Sequence, residues 1–226
     1  MRYMGPVSLS IAALAMALFL PAVTVYGQDS SQPQPTQSAA NMPNTNARQE
    51  AAEMVRARAY LLHKLDAKDM KPGTQFTARL SGNVHLKNGP ELPRGTELIG
   101  NVSTDDMQLK GTSKLALRID EARLKDGKTV PVKAVIVGVY APESETVNGT
   151  NVAPGQEEAN DWTSSILKVD QLDAVGDTDL HSRVGGNNSA VFVSTKKDNV
   201  TISAGSEFAL AIAAKGGEQT GANGAS

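Results

Sequence analysis

Residues 129–140 read Thr-Val-Pro-Val-Lys-Ala-Val-Ile-Val-Gly-Val-Tyr, the longest β-type run in the chain. Valine and isoleucine dominate this run, and β-branched residues favour strands because their stiff side chains pack well on a pleated sheet. The run therefore predicts one long β-strand. A strand needs partners, and the sequence on both sides of this run supplies candidates.

Short runs of alternating apolar and polar residues flank the long one on both sides. Turn signals such as Asn88-Gly89 and Asp126-Gly127 separate them. Several short strands at this spacing are typical of a barrel or a sandwich. The sequence therefore predicts an all-β domain over residues 70–214, a small barrel or sandwich of short antiparallel strands. The predicted shorter strands are residues 75–80, 83–87, 96–102, 114–119, 190–194, 200–202 and 207–212.

One turn-and-strand phrase occurs at residues 70–76, 92–98 and 202–208. Each copy has an apolar residue, two variable residues, glycine, a hydroxyl residue, Glu or Gln, and a second apolar residue. Proline, present in two of the copies, favours entry into a turn, and glycine takes the positive φ that follows. We interpret each copy as a tight turn that starts a strand. The alternative is that the three glycine turns form the rim of a ligand site.

The N-terminal segment has the pattern of an export signal. Arg2 is the only charged residue among the first 28, and a long apolar run follows it. Pro21 then interrupts any helix, and small or modest residues precede a cleavage site after Gly27. Residues 1–27 are therefore predicted to be a signal peptide, which makes the mature protein periplasmic or secreted. The alternative is an uncleaved anchor, because the apolar run is long enough to span a bilayer.

Four further segments differ from the β pattern. Residues 28–46 are rich in Pro, Ser and Gln and predict a disordered linker, and residues 215–226 predict a disordered tail. Residues 47–66 carry apolar residues at helical spacing. They predict one N-terminal amphipathic helix that packs on the domain, with a coiled-coil partner as the alternative. The polar and acidic residues 141–164 predict a long loop excursion.

The composition excludes several classes of function. The chain has no cysteine, so it has no disulfides, no thiolate zinc site and no cysteine nucleophile. The net charge is -2, and Lys and Arg are scattered along the sequence, which disfavours a nucleic-acid partner. Aromatic residues make up only 4%, which argues against a platform for stacking bases or sugars.

The sequence contains no residue pattern typical of catalysis or metal binding. His63, His85 and His181 are too far apart in the chain to form a ligand pair by local spacing. The acidic residues within 170–179 lack the spacing and closing glutamate of an EF-hand, so a solvated loop is favoured over a calcium site. Asp105-Asp106 indicates a turn. We therefore predict no catalytic, cofactor-binding or metal-binding residue, and no enzyme activity.

Three segments resemble a known family. Residues 92–100, Leu-Pro-Arg-Gly-Thr-Glu-Leu-Ile-Gly, resemble a strand in the C-terminal β-barrel of bacterial conjugation and type IV secretion scaffold proteins. Residues 113–119 resemble the next strand of that barrel, and residues 124–132 resemble the hairpin that follows. The turn-and-strand motifs of these segments are also similar to those of small secreted β-domain proteins of environmental bacteria.

The resemblance implies a barrel fold and an envelope location, and it implies no catalytic residues. The secretion scaffolds keep a membrane anchor and insert an apolar helical pair into the barrel. The corresponding residues 141–164 are acidic and polar in this chain, so the resemblance does not carry over a channel function.

The predicted function is that of an exported, non-enzymatic envelope module that is structural or binds another macromolecule. The expected partner is an envelope protein or a cell-surface polymer, with no cofactor, no nucleic acid and no membrane span after cleavage of the signal. Three alternatives stay open. The first is a periplasmic subunit of a secretion or conjugation assembly. The second is a carrier that holds a small apolar ligand in a hollow barrel, and the third is a hydrolase assembled from separate loops.

Overall fold

The computed structural model of the chain describes residues 45–142, 166–196 and 199–215. These residues form a closed, six-stranded antiparallel barrel with extra strands and one short helix near the N-terminus, which confirms the all-β prediction. The elements are α1 (Thr45–Glu53), β1 (Val55–Leu61), β2 (Leu65–Asp66), β3 (Gln75–Leu80), β4 (Val84–His85), β5 (Glu91–Leu92), β6 (Glu97–Ser103), β7 (Ser113–Arg123), β8 (Thr129–Tyr140), β9 (Lys168–Val175), β10 (Thr178–Arg183), β11 (Ala190–Ser194), β12 (Thr201–Ile202) and β13 (Glu207–Ala214).

The barrel closes because six strands pair in a ring. The order around the ring is β1, β3, β6, β7, β8 and β13, and β13 returns to pair with β1. Every pairing in the ring is antiparallel. Closure leaves no edge strand within the ring itself. Strands β11, β10 and β9 extend the sheet from β7, and β2–β12 and β4–β5 form two small separate pairs.

The interior of the barrel is filled with apolar side chains. Two fully buried phenylalanines, Phe192 and Phe208, stack with their ring centroids 6.3 Å apart. A barrel of about eight strands is only just wide enough for side chains to fill it, and six strands enclose less space. The filled interior counts against the alternative of a hollow barrel that carries a ligand. Other large side chains of this core are Leu61, Leu80, Leu98, Leu117, Ile119 and Ile136.

The predicted helix over residues 47–66 is wrong beyond Glu53. The helix ends there, and Val55–Leu61 forms β1, which pairs with both β13 and β3. Ala57, Ala59 and Leu61 are buried, while Arg58 and Tyr60 between them are exposed, which is the period of two of a strand. The same residues also fit a helical stripe, and alanine has a high intrinsic helix propensity. The barrel contacts of β1 override that local preference.

A second correction concerns residues 170–179, which were predicted to be a solvated loop. They belong to a hairpin, in which β9 and β10 pair on either side of a turn at Gly176. Only Ala174 is fully buried along β9, so the apolar alternation that identifies a strand is nearly absent there. With β1 added, the strands of the β-domain begin at Val55 rather than after residue 70.

Most of four predicted segments lies outside the described residues. These are the signal peptide 1–27, the linker 28–46, the loop excursion 141–164 and the tail 215–226. At the end of the linker, Thr45 and Asn46 are part of α1. For the rest, the sequence-based predictions stay predictions.

The three copies of the turn phrase share one backbone conformation. Gly73, Gly95 and Gly205 have φ values of 92°, 87° and 81°. The hydroxyl residue after each glycine donates its N–H back across the turn, with N–O distances of 2.9, 3.0 and 3.2 Å. Each glycine N–H also donates to a carbonyl at the end of the neighbouring strand. This confirms the interpretation of the phrase as a turn that starts a strand.

The three glycine turns do not form a single rim. Strands β3 and β6 are antiparallel, so Gly73 and Gly95 start their strands at opposite ends of the barrel. The alternative that all three turns surround one ligand site is therefore wrong.

Replacing Gly73 with alanine is expected to lower the free energy of unfolding by about 1–2 kcal/mol, because side chains are strained at positive φ. A Cβ atom at Gly73 would meet nothing within 4 Å, so the loss would come from backbone strain and not from a steric clash. Gly82→Ala is the matched control, since its Cβ is equally unobstructed and its φ lies outside the left-handed region. The control is expected to be neutral or slightly stabilising. Chemical denaturation measures both variants, and equal losses would contradict the role of positive φ.

Candidate functional site

Strands β7 and β8 pair over only a short length of the barrel wall. Residues 121–123 pair with residues 129–131 beside the hairpin turn. Farther along, residues 113–117 of β7 pair with β11 instead. The two barrel strands therefore separate, and another segment has to satisfy their backbone groups.

Residues 186–189, named here the bridging segment, fill the gap between β7 and β8. Ser189 donates its backbone N–H to the carbonyl of Leu117 at 2.7 Å, and its own carbonyl accepts the N–H of Ile136 at 2.9 Å. The hydroxyl oxygen of Ser189 accepts the N–H of Ile119 at 2.9 Å. The separated strands no longer exchange these hydrogen bonds with each other, and Ser189 provides them instead. Because Ser189 is buried, water does not satisfy these backbone groups in its place.

Asn188 ties the bridging segment to the connection between β6 and β7. Its side-chain amide donates to the hydroxyl of Ser103 at 2.6 Å and to the carbonyl of Thr104 at 3.0 Å. Its side-chain oxygen accepts the N–H of Asp106 at 2.9 Å. Asn188 is buried, and with these hydrogen bonds on both its donor and its acceptor it holds the segment in one position.

Asp105 organises the same connection between β6 and β7. Its carboxylate accepts the N–H groups of Met107 and Leu109 at 2.9 and 2.8 Å and the ammonium of Lys114 at 3.0 Å. Burial raises the pKa of Asp105, but the hydrogen bonds from Lys114 and the two backbone N–H groups together hold that pKa below its ordinary value. The turn predicted at Asp105-Asp106 is present as part of this network.

Asp105→Asn is expected to lower the free energy of unfolding at pH 7 by about 1–3 kcal/mol, because hydrogen bonds to a charged group are lost. The folded-state pKa is depressed, so the stabilisation is present above the ordinary pKa of 3.8 and is lost as the pH falls through the lower folded value. The difference between parent and variant should therefore shrink below about pH 4. Denaturation at several pH values measures this difference in the free energy of unfolding, and Asp69→Asn, at an exposed position, is the control. A difference that stays constant down to pH 2 would contradict it.

A cleft of about 140 Å³ lies where β7 and β8 separate, beside the bridging segment. The outer faces of β7 and β8, the residue that follows β13 and the bridging segment itself contribute to its lining. The main polar lining residues are Arg118, Asp120, Lys133, Asn187, Asn188 and Lys215.

Cations from two barrel strands and from the end of a third line this cleft. Arg118 comes from β7, Lys133 from β8, and Lys215 directly follows β13. Lys133 lies opposite Ala213 in the β8–β13 register, and Lys215 follows two residues later, on the same face by strand alternation. Basic residues that are scattered along the sequence are thus gathered here by the fold.

Two of these cations are held by carboxylates. The Nε of Arg118 lies 2.6 Å from Oδ1 of Asp120, and the ammonium of Lys133 contacts the carboxylate of Glu50 on α1. Within the described part of the chain, the ammonium of Lys215 and the side-chain amide of Asn187 have no hydrogen-bond or ion-pair partner. The cleft therefore combines an excess of positive charge with an uncommitted amide.

The histidines and the acidic group lie away from this cleft. His85 faces Glu91 at 3.4 Å, and Nδ1 of His181 lies 2.8 Å from Oδ1 of Asp170. Within the acidic group, the ammonium of Lys196 lies 3.2 Å from Asp173 and 3.9 Å from Asp177. A lysine ammonium thus sits where a bound cation would have to be. In the described ranges, no group of three or more His, Asp or Glu side chains is placed to hold a metal ion.

Comparison with known proteins finds weak structural similarity to solved structures. No family model and no curated protein matches the chain. A solved structure of ComB10 from the Com type IV secretion system of Helicobacter pylori is similar. The match has a TM-score of 0.34 and 12% sequence identity, and it covers 70% of this chain and 85% of that one.

Among the residues that the structure describes, no helix is both long and apolar enough to cross a bilayer.

Proposed function

We propose that this chain is an exported, non-enzymatic envelope module that binds another macromolecule through the cleft between β7 and β8. The observation that carries the proposal is a cation-lined cleft on the outer wall of a barrel whose interior is filled. A filled interior leaves the outer surface as the place where a partner binds. The signal-peptide pattern of residues 1–27 supports the envelope location.

The size of the cleft favours a macromolecular partner over a free small molecule. Pockets for small molecules usually enclose roughly 300–1,000 Å³. A cleft of about 140 Å³ holds a single side chain or group, so useful affinity also requires contacts on the surrounding wall.

Elsewhere on the barrel wall, many charges are already paired. A row of directly opposed residues crosses all six barrel strands, and its arginines and glutamates form ion pairs with their neighbours. Arg79 lies 3.0 Å from Glu97, which also lies 3.9 Å from Arg123, and Arg58 lies 3.2 Å from Glu207. The uncompensated charge of the cleft therefore distinguishes it from this row. The row consists of Arg123, Glu97, Arg79, Tyr60, Glu207 and Tyr140.

Membership of a secretion or conjugation assembly is a narrower form of the same proposal. The resemblance of residues 92–100, 113–119 and 124–132 to secretion scaffold barrels supports it. Stable co-purification with secretion-apparatus proteins is expected if this form holds, and purification free of them would exclude it.

Site-specific photo-crosslinking in the envelope of the producing cell tests the proposal. A photoreactive residue is placed in the full chain at Asn187, in the cleft, or at Lys128, on the exposed hairpin turn between β7 and β8. The cleft position is expected to give a discrete adduct that disappears when Arg118→Glu and Lys215→Glu reverse the local charge. No adduct, or the same adduct from both positions, would refute binding through the cleft.

The non-enzymatic part of the proposal has a separate test. The purified protein is expected to show no turnover on a broad panel of hydrolase substrates. Reproducible turnover that a single substitution abolishes would identify an enzyme instead.

A further inference from the structure

We propose that the cleft receives one carboxylate side chain, aspartate or glutamate, from a polypeptide partner. This inference rests on the proposed function and names the chemical group that the cleft recognises. The ligand carboxylate would accept hydrogen bonds from the ammonium of Lys215, the side-chain amide of Asn187 and the terminal N–H groups of Arg118. Charge-assisted hydrogen bonds of this kind are among the strongest that proteins make.

The charge balance of the cleft matches a monoanion. Arg118, Lys133 and Lys215 provide three positive charges, and Asp120 with Glu50 provides two negative ones. One carboxylate neutralises the remaining charge. A phosphate monoester carries about -1.5 to -2 at neutral pH, so it would exceed the available charge, and Asp120 would repel it more strongly than it repels a carboxylate. The observations therefore favour an acidic side chain over a phosphate.

The volume of the cleft also suits a side-chain carboxylate. A cleft of about 140 Å³ lies below the roughly 300–1,000 Å³ of pockets that enclose whole small molecules, which favours a single side-chain group as the occupant.

The guanidinium of Arg118 and the backbone of the bridging segment are held in place before the carboxylate binds. Asp120 orients the guanidinium of Arg118, and the backbone N–H of Asn187 donates to Oδ2 of Asp106 at 2.9 Å. The adjacent Asn188 is fixed by its own buried hydrogen bonds. Less side-chain and loop freedom is then lost on binding than in a flexible site.

NMR titration of the ¹⁵N-labelled chain, as processed by the producing cell, tests the inference. The probe is N-acetyl-glutamate α-methylamide, and N-acetyl-glutamine α-methylamide is its uncharged isostere. The side-chain amide signal of Asn187 and the Nε–H signal of Arg118 are expected to shift saturably with the glutamate probe only. Equal shifts with both probes would overturn recognition of a carboxylate.

A pair of lysine variants locates the interaction. Lys215→Gln is expected to weaken binding of the glutamate probe about tenfold, because one charge-assisted hydrogen bond is lost. Lys128→Gln is the matched control, since Lys128 is exposed and lies 3.2 Å from Asp126 on the hairpin turn. Its affinity for the probe should be unchanged. Equal affinities of the parent and Lys215→Gln for the probe would overturn the assignment of the carboxylate site to the cleft. The assignment would also be overturned if inorganic phosphate shifted the same signals at a lower concentration than the glutamate probe.

Negative results from the titration and from the crosslinking experiment refute different proposals. If the cleft position forms its charge-dependent adduct but the glutamate probe does not bind, the carboxylate inference is wrong and the proposed function stands. If the probe binds but no adduct forms in the envelope, the proposed function is wrong, and recognition of a polypeptide partner falls with it.

Discussion

Phe192→Ala is expected to lower the free energy of unfolding by about 3–5 kcal/mol, the usual range for removing a buried phenylalanine ring from a core. Phe192 is fully buried and stacks on Phe208 with an interplanar angle of 29°. Alanine would leave a cavity that the surrounding strands, fixed by their pairings, cannot collapse to fill. Because β11 pairs with β7, the loss also weakens the wall next to the cleft.

Leu172→Ala provides the control for this substitution. Leu172 is a large apolar residue on β9 and is 71% exposed, so its truncation should change stability by no more than about 0.5 kcal/mol. Urea denaturation of both variants makes the comparison. A loss below about 1 kcal/mol for Phe192→Ala would mean that the barrel core is loosely packed, contrary to the structure.

Gly100→Ala is expected to destabilise the protein by about 3 kcal/mol, because a Cβ atom has no room at this position. The added Cβ would lie 2.4 Å from Cζ of Phe76 and 2.5 Å from the carbonyl oxygen of Arg118. That carbonyl belongs to the β7 backbone, opposite an irregularity in the β6–β7 pairing at Ile99 and Gly100. The backbone can move away only by disturbing the pairing, and Arg118 of the cleft would move with it.

Two companion variants separate the causes of this loss. Gly82→Ala adds the same Cβ where nothing lies within 4 Å, so thermal unfolding should show little change. Phe76→Leu combined with Gly100→Ala removes the ring contact but leaves the contact with the Arg118 carbonyl. The double variant should therefore recover none or only part of the stability. Full recovery would show that the backbone contact is unimportant.

The regular strands were predictable because their residues carry the pattern of a strand. The strands over residues 75–80, 129–140 and 190–194 have the bounds that the sequence predicted. Strand β1 was not predictable in this way, because its buried positions are partly alanine and its apolar spacing also fits a helix. Strand β9 was missed because nearly all of its residues are polar or exposed.

The cleft could not be predicted from local patterns. Its residues come from β7, β8, the bridging segment and the residue after β13, and they meet only because β7 and β8 separate. Nothing in the sequence of either strand indicates that separation, since the hydrogen bonds that replace their pairing come from Ser189. The one local signal is the run Gly185-Gly186-Asn187-Asn188, which indicates a turn but not what the turn connects.

The order in which the barrel strands pair determines when this domain can fold. Strand β1 has β13 as one of its two partners, and their register begins with Val55 opposite Ile212. A ribosome delivers β1 long before β13, so the ring cannot close until β13 has been made. Contacts between such distant parts of a sequence also slow folding. Until β13 has been made, the chain stays open, which is the form that can be threaded through a translocation pore. The topology is therefore compatible with the export that we propose.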